Sequence, residues 1–114
     1  MLEMIEPNLV SREQILLLDG SPRRLFEAQV LDEFMAHLHR PRVKPIYLDI
    51  SNEESTRRLI ARKRSDDTAE AIHNRLAWFT TEVIPTIDYY GDRIIRVSGE
   101  GDIAKIQSDI QLQL

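Results

Sequence analysis

The run Ile15 to Asp19, ILLLD, is continuously apolar, ends in an acid and is followed by Gly20. A strand buried on both faces of a parallel sheet has this pattern, and parallel strands need long crossovers, usually helices, between them. The chain supplies both. Pro45 to Ile50 (PIYLDI) and Arg93 to Val97 (RIIRV) are two further strand candidates. Leu25, Ala28, Leu31, Phe34 and Leu38 recur at three- and four-residue steps, which predicts an amphipathic helix over 23–38, with Pro41 just beyond its end. A helix over 52–61 follows, capped by Ser51 or Asn52. Asp67 to Glu70 resembles an acidic capping box, and Ile72, Leu76, Phe79, Val83, Ile87 and Tyr90 continue at helical spacing. Pro85 predicts a kink in that helix, Gly91 its stop, and Asp102 the start of a last helix through Ile103, Ile106 and Ile110. Strand, helix, strand, two helices, strand, helix is the order of an α/β fold, a parallel sheet with flanking helices. The first fourteen residues, with Pro7 and Ser11, are the least assignable.

Composition removes several function classes. The 114 residues carry a formal net charge of −4, which argues against a globally basic nucleic-acid binder. There is no cysteine, so disulfides, thiolate catalysis and thiolate-rich zinc sites are excluded. No apolar run reaches the roughly 18–20 residues of a membrane span, and MLEMIEPN lacks a secretory n-region. The expectation is a cytoplasmic protein with a single domain over 1–114 and no membrane partner.

Two segments could carry chemistry. RRLIARKR, Arg57 to Arg64, puts five basic residues into eight positions of an acidic chain. Arg58 and Arg62 are four apart and share a helix face, where two guanidinium forks suit polyphosphate. The same run also fits a solvated basic face balanced by Asp66 and Asp67. LLLDGSPR, Leu16 to Arg23, puts an acid where α/β folds bind ligands, at the carboxyl end of a strand. Asp19 there suits a magnesium-bound water, Gly20 a close approach of the backbone, and Pro22 a helix start. The alternative is a strand-to-helix turn with Asp19 as a local cap. His37, His39 and His73 read as surface residues, Trp78 beside Phe79 as helix packing, and Tyr89–Tyr90 as the packed end of a helix.

In order, these segments resemble the adenylate kinase family of nucleoside monophosphate kinases. DGSPRR at 19–24 is similar to the family's D-G-F-P-R-T, and Arg57 to Leu76 to its lid-flanking arginines with R-x-D-D-T-x-E-x-I-x-x-R-L. TEVIPTIDYY, Thr81 to Tyr90, resembles T-x-P-x-I-x-Y-Y, and SGEGDI, Ser98 to Ile103, the segment before the last helix. The resemblance runs from about residue 15 to the C-terminus. It implies phosphoryl transfer between ATP, with Mg2+, and a nucleoside monophosphate. It assigns Gly20, Arg23 and Glu27 to the monophosphate, Arg58, Arg62 and the Gly101 carbonyl to ATP, and Arg64 and Arg75 to the transferring group. Asp19 would hold the metal through water.

The departures are as informative. The glycine-rich phosphate loop, G-x-P-G-x-G-K, is absent, and none of Gly20, Gly91, Gly99 and Gly101 forms such a cluster. Ser21 stands for the usual Phe and Glu27 for the usual Gln. Only Lys63 separates Arg62 from Arg64, so the lid shrinks to a turn at 62–66. The resemblance therefore implies a P-loop-kinase-like layered fold without its N-terminal strand and phosphate loop. Its sheet would lack the central strand and carry two apolar edges that need the missing N-terminal half, or self-association, to cover them. The alternative from another class is a non-catalytic nucleotide-binding or oligomerisation module using the same arginines.

Overall fold

Helix α1, Leu25–His37, buries Ala28, Leu31 and Met35 along one face, the periodicity expected of an amphipathic helix. In this computed structural model, which describes residues 14–40, 43–62, 64 and 68–114, that face is the centre of the main apolar cluster. Strand β1, Ile46–Asp49, follows, then α2, Asn52–Arg62, and α3, Ala69–Trp78. A π-helical turn, Phe79–Val83, joins α3 to α4, Ile84–Tyr90. After a short 3-10 turn come β2, Ile95–Ser98, and α5, Ile103–Gln113. The first thirteen residues, Pro41, Lys63, Asp66 and Asp67 lie outside the described residues, and with them most of the reduced lid.

Among the described residues the sheet has two strands, paired in parallel with Ile46 opposite Ile95 and Asp49 opposite Ser98. The α/β class and the parallel pairing match the expectation. The strand expected over 15–19 does not: residues 15–18 form no ladder. Their side chains still alternate, with Leu16 and Leu18 packed on the α1 cluster while Ile15 and Leu17 are 96% and 83% exposed. The apolar pattern is that of a strand, but a strand needs a neighbour to accept its backbone hydrogen bonds, and among the described residues no strand pairs with it.

Two local expectations are corrected, the cap of α3 and the place of Pro22. Thr68, not Asp67, caps α3, its Oγ1 accepting from the Ala71 N–H at 3.1 Å. The helix continues through Pro85, as its apolar stripe predicts. The π turn ahead of it lets the Ile84 N–H reach the Phe79 carbonyl, widening the helix where the proline ring would otherwise crowd the preceding turn. Pro22 lies three residues before α1 rather than in its first turn. Ser51 caps α2 and Asp102 caps α5 as read from the sequence, accepting from the Glu54 and Lys105 N–H groups. Tyr90 is 4% exposed, the packed helix end that was expected, and its burial pushes the phenol up to about 12.

Because α1 holds the cluster together, Leu31→Ala is expected to cost about 2–4 kcal/mol of stability. Leu17→Ala, on the solvent side of the 15–18 segment, should stay within about 0.5 kcal/mol. Urea unfolding of the two variants checks the contrast; equal losses would mean the alternation at 15–18 is misassigned.

Candidate functional site

Parallel sheets gather ligands at the carboxyl ends of their strands. Here that edge carries a cleft of about 440 Å³ lined by Asp49, Ser51, Arg96, Val97, Ser98 and Glu100. Asp49 and Ser98 are the last residues of β1 and β2. Arg96 lies over the Tyr47 ring at 5.1 Å, and its guanidinium is 3.7 Å from the Asp49 carboxylate. The Tyr47 hydroxyl donates to the same carboxylate at 3.3 Å. Partial burial, and then the negative Asp49, push the Tyr47 phenol up. Glu100 accepts from the Ser51 N–H at 3.1 Å, and its hydrogen bonds to Ser51 hold its carboxyl below the usual range.

Next to this cleft the fold brings together two residues assigned from the sequence. The Arg58 Nη2 donates to the Gly101 carbonyl at 3.4 Å, across 43 residues of chain. Gly101 has φ 116°, which a side chain would strain, so the loop that exposes this carbonyl depends on glycine. Arg58 is braced from the other side by Glu54 at 2.7 Å. Glu54 also takes both forks of Arg57, and these two arginines hold its carboxyl down at about 2. Arg57 is thus absorbed locally, whereas Arg58 divides its donors between Glu54 and the Gly101 carbonyl.

Arg23 occupies a second place, at the start of α1. Its N–H donates to Glu27 Oε2 at 2.8 Å, and its carbonyl accepts from Thr86 Oγ1 at 3.2 Å. Thr86 is 4% exposed, so this bond ties α4 to the α1 entry inside the protein. Glu27 also accepts from the Arg24 N–H at 3.2 Å and so closes the helix start, where backbone donors lack intrahelical partners. These backbone bonds, that from Arg23 first, hold the Glu27 carboxyl below its ordinary value. Gly20, with φ 71°, makes the turn before this entry, and Asp19 beside it is exposed.

Arg62 ends α2, Arg75 lies in the last turn of α3, and α2 and α3 pack together. Arg64 is exposed between them in sequence. Among the described residues no hydrogen bond, ion pair or ring contact joins Arg23 to Arg58. Nor do three acids or histidines gather as a metal cage there. Tyr47, Asp49, Arg96 and Glu100 were missed in the sequence reading. The signal for Asp49 was present, since PIYLDI ends in an acid just as ILLLD does.

No family model matches the chain. Curated proteins do. The adenylate kinase of Prochlorococcus marinus strain MIT 9301 is 34% identical over 115 aligned positions, which cover 99% of this chain and 63% of that protein. The adenylate kinase of Prochlorococcus marinus strain MIT 9211 is 33% identical, over 86% of this chain and 54% of its own length. That of Corynebacterium glutamicum strain R is 33% identical, over 81% and 51%. The chain spans between about half and just under two thirds of the curated relatives it matches. Homologues named adenylate kinase thus cover essentially the whole chain, as they would a C-terminal portion of such a kinase.

The cap at the α1 entry is pH-dependent. Because the folded Glu27 pKa lies below the ordinary 4.5, its contribution is complete above that value and is lost as pH falls through the depressed one. Glu27→Ala should cost on the order of 0.5 kcal/mol at pH 7, low because the carboxylate is exposed. The gap to wild type should close in acid. A denaturation series from pH 7 to pH 3 measures it; a gap that widens in acid would contradict the assignment.

Proposed function

We propose, from this homology to adenylate kinases, that the chain supplies the arginine-bearing part of a site for phosphoryl transfer between ATP and a nucleoside monophosphate. The observation that carries the reading is homology over essentially the whole chain combined with the contact of Arg58 and Gly101 beside the carboxyl-edge cleft. In this reading Arg58, Arg62 and the Gly101 carbonyl hold ATP, and Gly20, Arg23 and Glu27 hold the monophosphate. Arg64 and Arg75 neutralise charge on the transferring group. Such a transition state needs little covalent help. It needs positioning and cationic stabilisation, which guanidinium groups provide.

Magnesium commonly binds through one or two carboxylates and the substrate phosphates rather than in an all-protein cage. An exposed, single Asp19 after Leu18 fits that mode and would hold the ion through water. When bound with ATP the ion neutralises phosphate charge. The protein's own residues bind and orient the nucleotides.

The 114 residues contain no glycine-rich loop to cradle the phosphates with backbone N–H groups and a lysine. The phosphate cradle and the strand that would cover the open edge of β1 are therefore assigned to another segment, or the edge to a second copy of the chain. This absence also favours the second reading, a nucleotide-binding or oligomerisation module without catalysis.

The purified 114-residue chain is expected to bind ATP yet show no turnover of ATP with AMP in the range of about 1–100 per second. Arg58→Ala should weaken ATP binding by roughly tenfold, the loss of a charge-assisted hydrogen bond. Coupled phosphotransfer and calorimetric titration report the two quantities. Turnover at kinase rates, or unchanged ATP affinity in the variant, would refute the reading.

A further inference from the structure

Trp78 is the single tryptophan of the chain, and its place on α3 reads from the sequence as helix packing. The structure leaves it only partly buried and sets the Arg23 guanidinium over its ring, 5.8 Å from the centroid. The neighbouring Arg24 is treated differently, paired with Glu82 at 3.6 Å. Two adjacent arginines are thus sorted, one to a carboxylate and one to an aromatic ring. Among the described residues Arg23 forms no ion pair, while both of its backbone polar groups are bonded, to Glu27 and to Thr86.

That difference has a chemical consequence. A carboxylate partner occupies the N–H forks of a guanidinium, the donors that also grip a phosphate. An indole attracts the cation through its ring quadrupole and leaves those forks unbonded. With the backbone of Arg23 fixed at both ends, the ring restrains what remains, a long side chain with many rotamers. Freezing those rotamers when an anion binds would otherwise weaken binding.

We infer that Trp78 is a positioning residue for Arg23, holding its guanidinium without consuming its donors so that they meet the phosphate of a nucleoside monophosphate. This rests on the assignment of Arg23 to the monophosphate given above. Trp78 itself touches no phosphate in this account.

The test is a titration of the full chain with AMP, followed by proton–nitrogen correlation spectra. The lone indole N–H and the Arg23 Nε–H should shift together with one dissociation constant. Trp78→Leu should weaken AMP binding about two- to fivefold. Trp78→Phe, which keeps a ring, should recover most of that loss, and the loss should be absent with adenosine, which has no phosphate. Trp78→Leu binding AMP like wild type, while Arg23→Ala loses binding, would overturn the inference and leave the Arg23 assignment standing. Arg23→Ala binding AMP like wild type, or no saturable binding by wild type, would remove that assignment and the inference with it. Should Trp78→Leu fail to fold, an indole signal unmoved while Arg23 saturates would overturn the inference.

Discussion

The parallel pairing of β1 and β2 governs where the candidate site residues at the carboxyl edge end up. Its register brings Asp49 level with Ser98, so the loops that follow, Ser51 on one side and Glu100 to Gly101 on the other, leave the sheet together. That is why Arg58, in the second turn of α2, meets the Gly101 carbonyl. The same pairing leaves β1 bonded on one side only among the described residues, and Leu48 is 45% exposed. Parallel sheets are ordinarily covered on both faces and continued at their edges, and among the described residues β1 and β2 each have one unpaired edge.

Charge is distributed to keep some arginines bound and others available. Glu54 takes Arg57 completely and Arg58 in part, Glu82 takes Arg24, and Asp32 takes Arg93 at 2.7 Å. Arg23 goes to Trp78. In a chain of net charge −4, an acid paired with each basic group would have been the simple outcome. Glu27, four residues on, instead bonds the Arg23 backbone N–H and caps α1.

The sequence made the helices, their caps and the two paired strands legible, because periodicity and capping are local. Ser51, Asp102 and Gly91 ended or began elements where their side chains and backbone predict. What escaped was whatever depends on a partner elsewhere in the chain. ILLLD has the apolar pattern of a buried strand, but strand formation requires a second strand, which pattern alone does not provide. Asp67 read as the cap because Glu70 stands three residues after it, whereas the α3 cap is Thr68. The placing of Arg23 on Trp78 joins the entry of α1 to α3 across the chain. The candidate site residues were named through the family resemblance. The contact of Arg58 with Gly101 needed the fold.

The central claim is that this chain carries the arginine part of a phosphotransfer site and takes its phosphate cradle from another segment. The direct measurement is a coupled phosphotransfer assay on the chain mixed with a separately expressed N-terminal half of a matching adenylate kinase, beside each piece alone. The account predicts turnover of ATP and AMP in the mixture, within about 1–100 per second, and none from either piece. A mixture that forms a complex but turns over no faster than its parts would contradict it.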